Sequence, residues 1–131
     1  MRTHSLSELR IEGRDKVLRL EPRFDFYRIR KVHVAVIDFG LRAGDERQPS
    51  LVLKADYQGK FKAYTLTIRF DGIRELVLPE MQPFLQLAEL EIEDVRDRML
   101  EAVRFDVVSH YDCSFRCLCQ EIVIADLEPA S

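Results

Sequence analysis

Apolar and polar positions alternate with a period of two along much of this chain, and that period predicts β-strands. In residues 61–70, FKAYTLTIRF, Tyr64, Leu66, Ile68 and Phe70 share one face, and Phe61, Ala63, Thr65, Thr67 and Arg69 take the other. Its aromatic and β-branched content suits a pleated, half-buried surface. KVHVAVIDF at 31–39 is apolar on both faces and predicts a strand covered on both sides. LVLKADY at 51–57 predicts a further strand, joined to 61–70 by a turn at Gln58-Gly59-Lys60. Asp71-Gly72 follows, a dipeptide that serves either a tight hairpin or a bulge.

Past Pro79 and Pro83, LAELEIED sets Ala88, Leu90 and Ile92 against Glu89, Glu91 and Glu93. A short helix is predicted over 94–103, with Asp94 as cap, Asp97 at the capping-box position, and Val95, Met99 and Val103 at helical spacing. VRFDVVSH and SFRCLCQEIVIAD predict two closing strands. Near the start, ELRIEG and KVLRLEP flank Gly13-Arg14-Asp15 like a hairpin, and RFDFYRIR reads as an edge strand. These elements add up to a mainly β protein, an antiparallel two-sheet sandwich with one short helix. A small closed barrel is the alternative.

Composition fits one globular domain over residues 1–131: 47% hydrophobic and 33% charged, with no linker or repeat to divide it. No apolar run approaches the length of a membrane span, and the first residues have no apolar core of a secretory signal. Three cysteines cannot all pair within one chain, which points to reduced thiols and the cytoplasm. The net charge of −3 hides a gradient: +4 over residues 1–31, +2 over 32–70 and −9 over 71–131. Either the two ends lie together and neutralise one another, or the acidic part meets a basic partner.

Chemistry has few candidates. His110, Cys113, Cys117 and Cys119 cluster within HYDCSFRCLC and have the residue types of a zinc site. The paired Cys-x-x-Cys knuckles of such sites are missing, however, and Cys117 and Cys119 fall on one face of a strand as buried thiols do. Glu89, Glu91, Glu93 and Asp94 make the densest carboxylate row. Residues in one shared environment do not split into acid and base, so the row reads as a solvated face or a protein-docking surface. RFDFYRIRK interleaves aromatics with base, as single-strand nucleic-acid sites do, but the basic footprint is small. No phosphate-cradling glycine loop or nucleophile elbow occurs.

The segment TIRFDGIREL with Phe70, then LEIEDV, the short helix and SFRCLCQEIVI, resembles a group of small bacterial all-β proteins, some grouped with immunity proteins of polymorphic toxin systems. The likeness covers roughly residues 61–125. No catalytic residue goes with that pattern, and the missing catalytic signatures together with the acidic row point to a non-enzymatic, protein-binding role with no cofactor. The expected function is therefore a soluble protein-binding domain of the immunity-inhibitor kind, with Glu89, Glu91, Glu93 and Asp94 as its surface. The alternative is a metal- or ligand-binding module built on the histidine and cysteines. Association of the chain with itself, basic end to acidic end, is a further expectation to be tested.

Overall fold

A computed structural model of the chain describes residues 6, 9–39, 41–42, 45–46, 49–78, 85–86, 90–95, 103–109 and 115–130. Two antiparallel sheets pack face to face. The first has five strands: β1 (Ile29–Asp38), β4 (Ser50–Gln58), β5 (Ala63–Asp71), β7 (Leu85–Gln86) and β11 (Glu121–Pro129), in the order β11-β5-β4-β1-β7. The second contains β6 (Glu75–Val77), β8 (Leu90–Asp94), β9 (Phe105–Ser109) and β10 (Arg116–Cys119), ordered β6-β10-β9-β8. A small ribbon pairs β2 (Leu41–Arg42) with β3 (Asp45–Glu46). The sandwich expectation holds, and no closed barrel forms.

The alternation of residues 61–70 gives the inner face of β5: Tyr64, Leu66, Ile68 and Phe70 are all buried. Leu51, Leu53, Ala55 and Tyr57 of β4 stand beside them in register, Leu53 opposite Ile68 and Ala55 opposite Leu66. From the second sheet come Leu90, Ile92, Phe105, Val107, Phe115, Cys117 and Cys119, completing one continuous core.

The two sheets share a corner. SFRCLCQEIVIAD is not one strand but two, β10 and β11, broken at Gln120 and lying in different sheets. The chain bends in parallel fashion at 72–74, between β5 and β6. Both halves remain paired through the bend: Gln120 N–H donates to the Asp71 carbonyl at 2.9 Å, and Arg74 N–H donates to the Leu118 carbonyl at 2.8 Å. Leu118 faces Glu75 and Glu121 faces Asp71, so one extra residue sits on the β5–β6 side. Of its two readings, Asp71-Gly72 thus takes the bulge. Gly72 has φ +66°, and a Cβ there would stand 2.7 Å from Gln120 Cβ. Bulges of this kind turn strands from one sheet into the next.

Three expectations change. The N-terminal hairpin is absent: Glu12 instead makes a parallel bridge to Val123, Gly13 turns left-handed, and α1 (Arg14–Leu20) follows. KVLRL contains good helix formers, and helical geometry needs only Val17 buried while Lys16 and Arg19 stay in water. RFDFYRIR is not an edge strand throughout. Phe24 and Phe26 enter the core, a 3-10 turn runs over Phe26–Arg28, and β1 begins only at Ile29. Asp25 caps that turn by accepting from Tyr27 N–H at 2.9 Å. Last, β1 is not covered on both sides. Beyond Val32 its residues are exposed. The helix expected over 94–103 lies mostly outside the described residues; Asp94 itself closes β8, and Val95 N–H donates to the Arg104 carbonyl at 2.8 Å.

A tight aromatic group ties the N-terminal segment to the first sheet. Phe24 stacks on Tyr57 with centroids 4.5 Å apart, Phe26 meets Phe24 edge-on at 5.1 Å, and Asp25 N–H donates to the Tyr57 hydroxyl at 2.8 Å. Buried Glu21 accepts from Lys60 N–H at 3.1 Å and clamps the β4–β5 turn. Burial pushes the Tyr57 phenol up from 10.0 to about 12.

Two measurements check this account. Gly72→Ala forces a side chain into left-handed backbone against Gln120, and denaturant unfolding should show a loss of about 1–3 kcal/mol; an unchanged midpoint would contradict the corner. The fold favours the neutral form of Tyr57, so its contribution is whole below pH 10 and falls away as pH rises toward about 12. Tyr57→Phe should therefore flatten the alkaline loss of stability by up to about 2–3 kcal/mol, read from unfolding curves between pH 8 and 11.5.

Candidate functional site

Cys117 and Cys119 of β10 point to the same face, and both are fully buried free thiols in the core. Cys117 stands between Val107 and Leu76 in register, and Cys119 opposite Phe105. A hydrogen bond with Cys117 and burial together push the Cys119 thiol far up, which removes it as a nucleophile or thiolate ligand near neutral pH. Their surroundings are hydrocarbon. His110 and Cys113 lie outside the described residues, and among the described ones no three His, Cys, Asp or Glu side chains are placed to hold a metal ion.

The carboxylate row does not form one solvated face. Glu91 is only 3% exposed and accepts from the Tyr27 hydroxyl at 2.7 Å, because the Phe26–Arg28 turn packs onto β8 there. Glu93 and Asp94 are half-buried, and Glu89 lies outside the described residues. The sheet instead extends acidity across its strands. Glu93 faces Asp106 on β9, Asp106 faces Leu118 on β10, and Leu118 faces Glu75 on β6. The next row runs Glu91, Val108, Arg116, Val77.

Arg116 bonds Asp106 through Nε and Nη2, each at 3.3 Å, and this pairing holds the guanidinium proton more firmly. Glu75 and Asp106 join the surface without having stood out in the sequence. Alternation within RFDVVS and RELVL places each opposite its core-facing neighbours, but only strand order sets them beside Glu93.

On and beside the outer face of the five-stranded sheet, Lys16 pairs with Asp126 at 3.4 Å, Arg69 with Asp71 at 2.9 Å, and His33 with Asp56. The Lys16–Asp126 pair joins the basic N-terminal part to the acidic C-terminal strand. A shallow cleft of about 350 Å³ beside His33 is lined by Arg30, Lys31, Asp56, Tyr57, Gln58 and Ala63. Among the described residues neither His33 nor Asp56 is given a bond to a Ser, Thr or Cys, and the two form an exposed hydrogen-bonded pair. Phe24 and Phe26, which a single-strand nucleic-acid site would need on the surface, are core residues. Val34, Val36 and Ile37 of β1 and the following Phe39 are exposed, the last at 66%.

A family model described as Immunity protein PIM8 matches residues 45–125, well over half of the chain. The match runs from β3 into β11 and takes in the shared corner and the whole four-stranded sheet. Comparison with curated proteins gives no match, and comparison with solved structures gives none. Among the described residues no helix is long and apolar enough to cross a membrane.

Burial makes the thiols inert. In a Cys113→Ser background, a thiol reagent should label neither Cys117 nor Cys119 in the folded protein and both after denaturation; rapid labelling of the native protein would place them at an open site.

Proposed function

We propose, from the premise that this chain belongs to the immunity protein PIM8 family, that it is a non-enzymatic inhibitor which neutralises a toxin protein by binding it. Family membership carries this reading. The interior supports it: the residue types that suggested metal or redox chemistry, Cys117 and Cys119, are packed among Phe105, Val107 and Phe115. Such a protein acts through its exterior, where association is governed by shape and charge.

Acidic residues on the second sheet suit a basic toxin. Of the row 89–94, Glu93 shares the outward side of β8 with Glu91, which Tyr27 covers, whereas Asp94 pairs with the buried Phe105 on the inward side. We place the protein in the cytoplasm, a compartment in which its free thiols persist. The metal-module alternative finds no support from the two cysteines that the structure describes.

Co-expression tests this reading. A toxic protein is expected to be encoded beside this gene; expressed alone it should arrest growth, it should lose that effect when this protein is co-expressed, and the two should co-purify at low salt. Full toxicity in the presence of folded, abundant protein would refute the proposal.

A further inference from the structure

We infer that the tip of the β4–β5 turn, Lys60-Phe61-Lys62, docks on an anionic lipid surface, with the Phe61 ring entering the headgroup layer. The inference goes beyond the inhibitor reading and does not rest on it. Phe61 is 88% exposed, the most open of the large apolar side chains among the described residues. The turn that carries it is firmly held. Gly59 N–H donates to the Lys62 carbonyl at 2.9 Å, and buried Glu21 accepts from Lys60 N–H at 3.1 Å. A fixed turn presents the ring with little ordering left to be done on binding. Lys60 Nζ lies 5.2 Å from the Phe61 ring centre, and Lys62 Nζ lies 5.5 Å from that of Tyr64. A ring flanked by ammonium groups on alkyl stems suits a membrane–water interface, where the ring sinks and the charges stay at the phosphates.

Charge at this end of the sandwich favours an anionic surface. Arg30 and Lys31 line the cleft with Gln58 and Ala63, the pair that closes the turn. Glu21 and Phe24 tie the segment between them to Lys60 and Tyr57, which brings Arg23 to the same end, and half-buried Arg28 lies beside Tyr57. Among the described residues, the acids that hydrogen bonds and register place about the turn are Glu21, Asp25, Asp56 and Glu128. Glu21 is buried under the turn and Asp56 pairs with His33, which leaves Asp25 and Glu128 exposed. Five exposed cations, Arg23, Arg30, Lys31, Lys60 and Lys62, stand against those two.

Other acids of this sheet lie farther off. Asp126 pairs with Lys16 midway along β11. Asp38, Asp71 and Glu121 share one row with Ser50 at the opposite end of the strands. That row is roughly 26 Å from the turn along β5, about three Debye lengths at physiological salt. A bilayer approached turn-first meets the bases, and the acids behind them are screened. Single-stranded nucleic acid would need several rings set along a groove for its bases. Phe24 and Phe26 are buried, and Phe61 projects alone from a turn, which fits a fluid layer that it can enter.

Co-sedimentation of the full chain with vesicles tests this. Vesicles of phosphatidylcholine with about one-third phosphatidylglycerol should bind the protein and release it as salt rises, whereas phosphatidylcholine alone should not. Lys60→Ala/Lys62→Ala should weaken binding by about 20- to 30-fold, at about fivefold for each base near the surface. Phe61→Ala should weaken it by about tenfold with the thermal unfolding midpoint unchanged, since the ring packs on no core residue. Val77→Ala on the four-stranded sheet should leave vesicle binding unaltered. No binding by the folded chain, equal binding to neutral vesicles, or unaltered binding by folded Phe61→Ala each overturns the inference. So does tighter, Phe61-dependent binding to a single-stranded oligonucleotide, which would assign the turn to nucleic acid. Each of these results leaves the inhibitor reading standing, because toxin neutralisation is measured without vesicles.

Discussion

The bend at Gly72 and Gln120 is the constraint on which the architecture rests. Two chain segments, 63–77 and 116–129, stay paired from one sheet to the other, with backbone hydrogen bonds on both sides of the bend. Because the ladder continues through it, the relative placement of the sheets is set by covalent geometry and backbone pairing together. A left-handed residue is needed to admit the extra position, and glycine is the one residue that takes it without strain against the Gln120 side chain.

The core is organised around this corner. Phe70, just before the bend, lies 6.4 Å from Phe115, which precedes β10, so the two arms of the ribbon meet through their aromatic rings. Cys117 and Cys119 lie between Phe115 and the bend, buried in the same core. Small thiols suit strands that close on one another, where a larger side chain would prop the sheets apart. At the far side, Tyr57, Phe24 and Phe26 seal the sandwich, and two buried carboxylates hold the polar groups that must pass there. Glu21 serves the turn at Lys60, and Glu91 serves Tyr27. Each of these acids forms a tertiary tie between segments distant in sequence.

Buried thiols packed within the core are compatible with the proposed inhibitor role of this member of the PIM8 immunity family. The same pleat that turns Leu90, Ile92, Phe105 and Val107 inward turns Glu93, Asp106 and Val108 outward, so one set of strands makes both the core and an acidic outer face.

Period-two alternation is enough to specify that the chain is mainly β, which face of β5 is buried, and that Cys117 and Cys119 point the same way. Such patterns are local, and one buried face suffices to write them into the chain. KVLRL holds no comparable signal, since its few apolar residues satisfy a strand or a short helix equally, and the bridge from Glu12 to β11 decides for the helix. Strand order is equally hidden. Which carboxylates stand together depends on β6, β10, β9 and β8 being neighbours, and a row written along one strand loses Glu91 to the turn that covers it. Whether β1 is covered, whether Asp71-Gly72 makes a hairpin or a corner, and where the acidic face lies are settled by contacts between segments far apart in the chain. No local pattern encodes those, because they depend on what the other strands bring alongside.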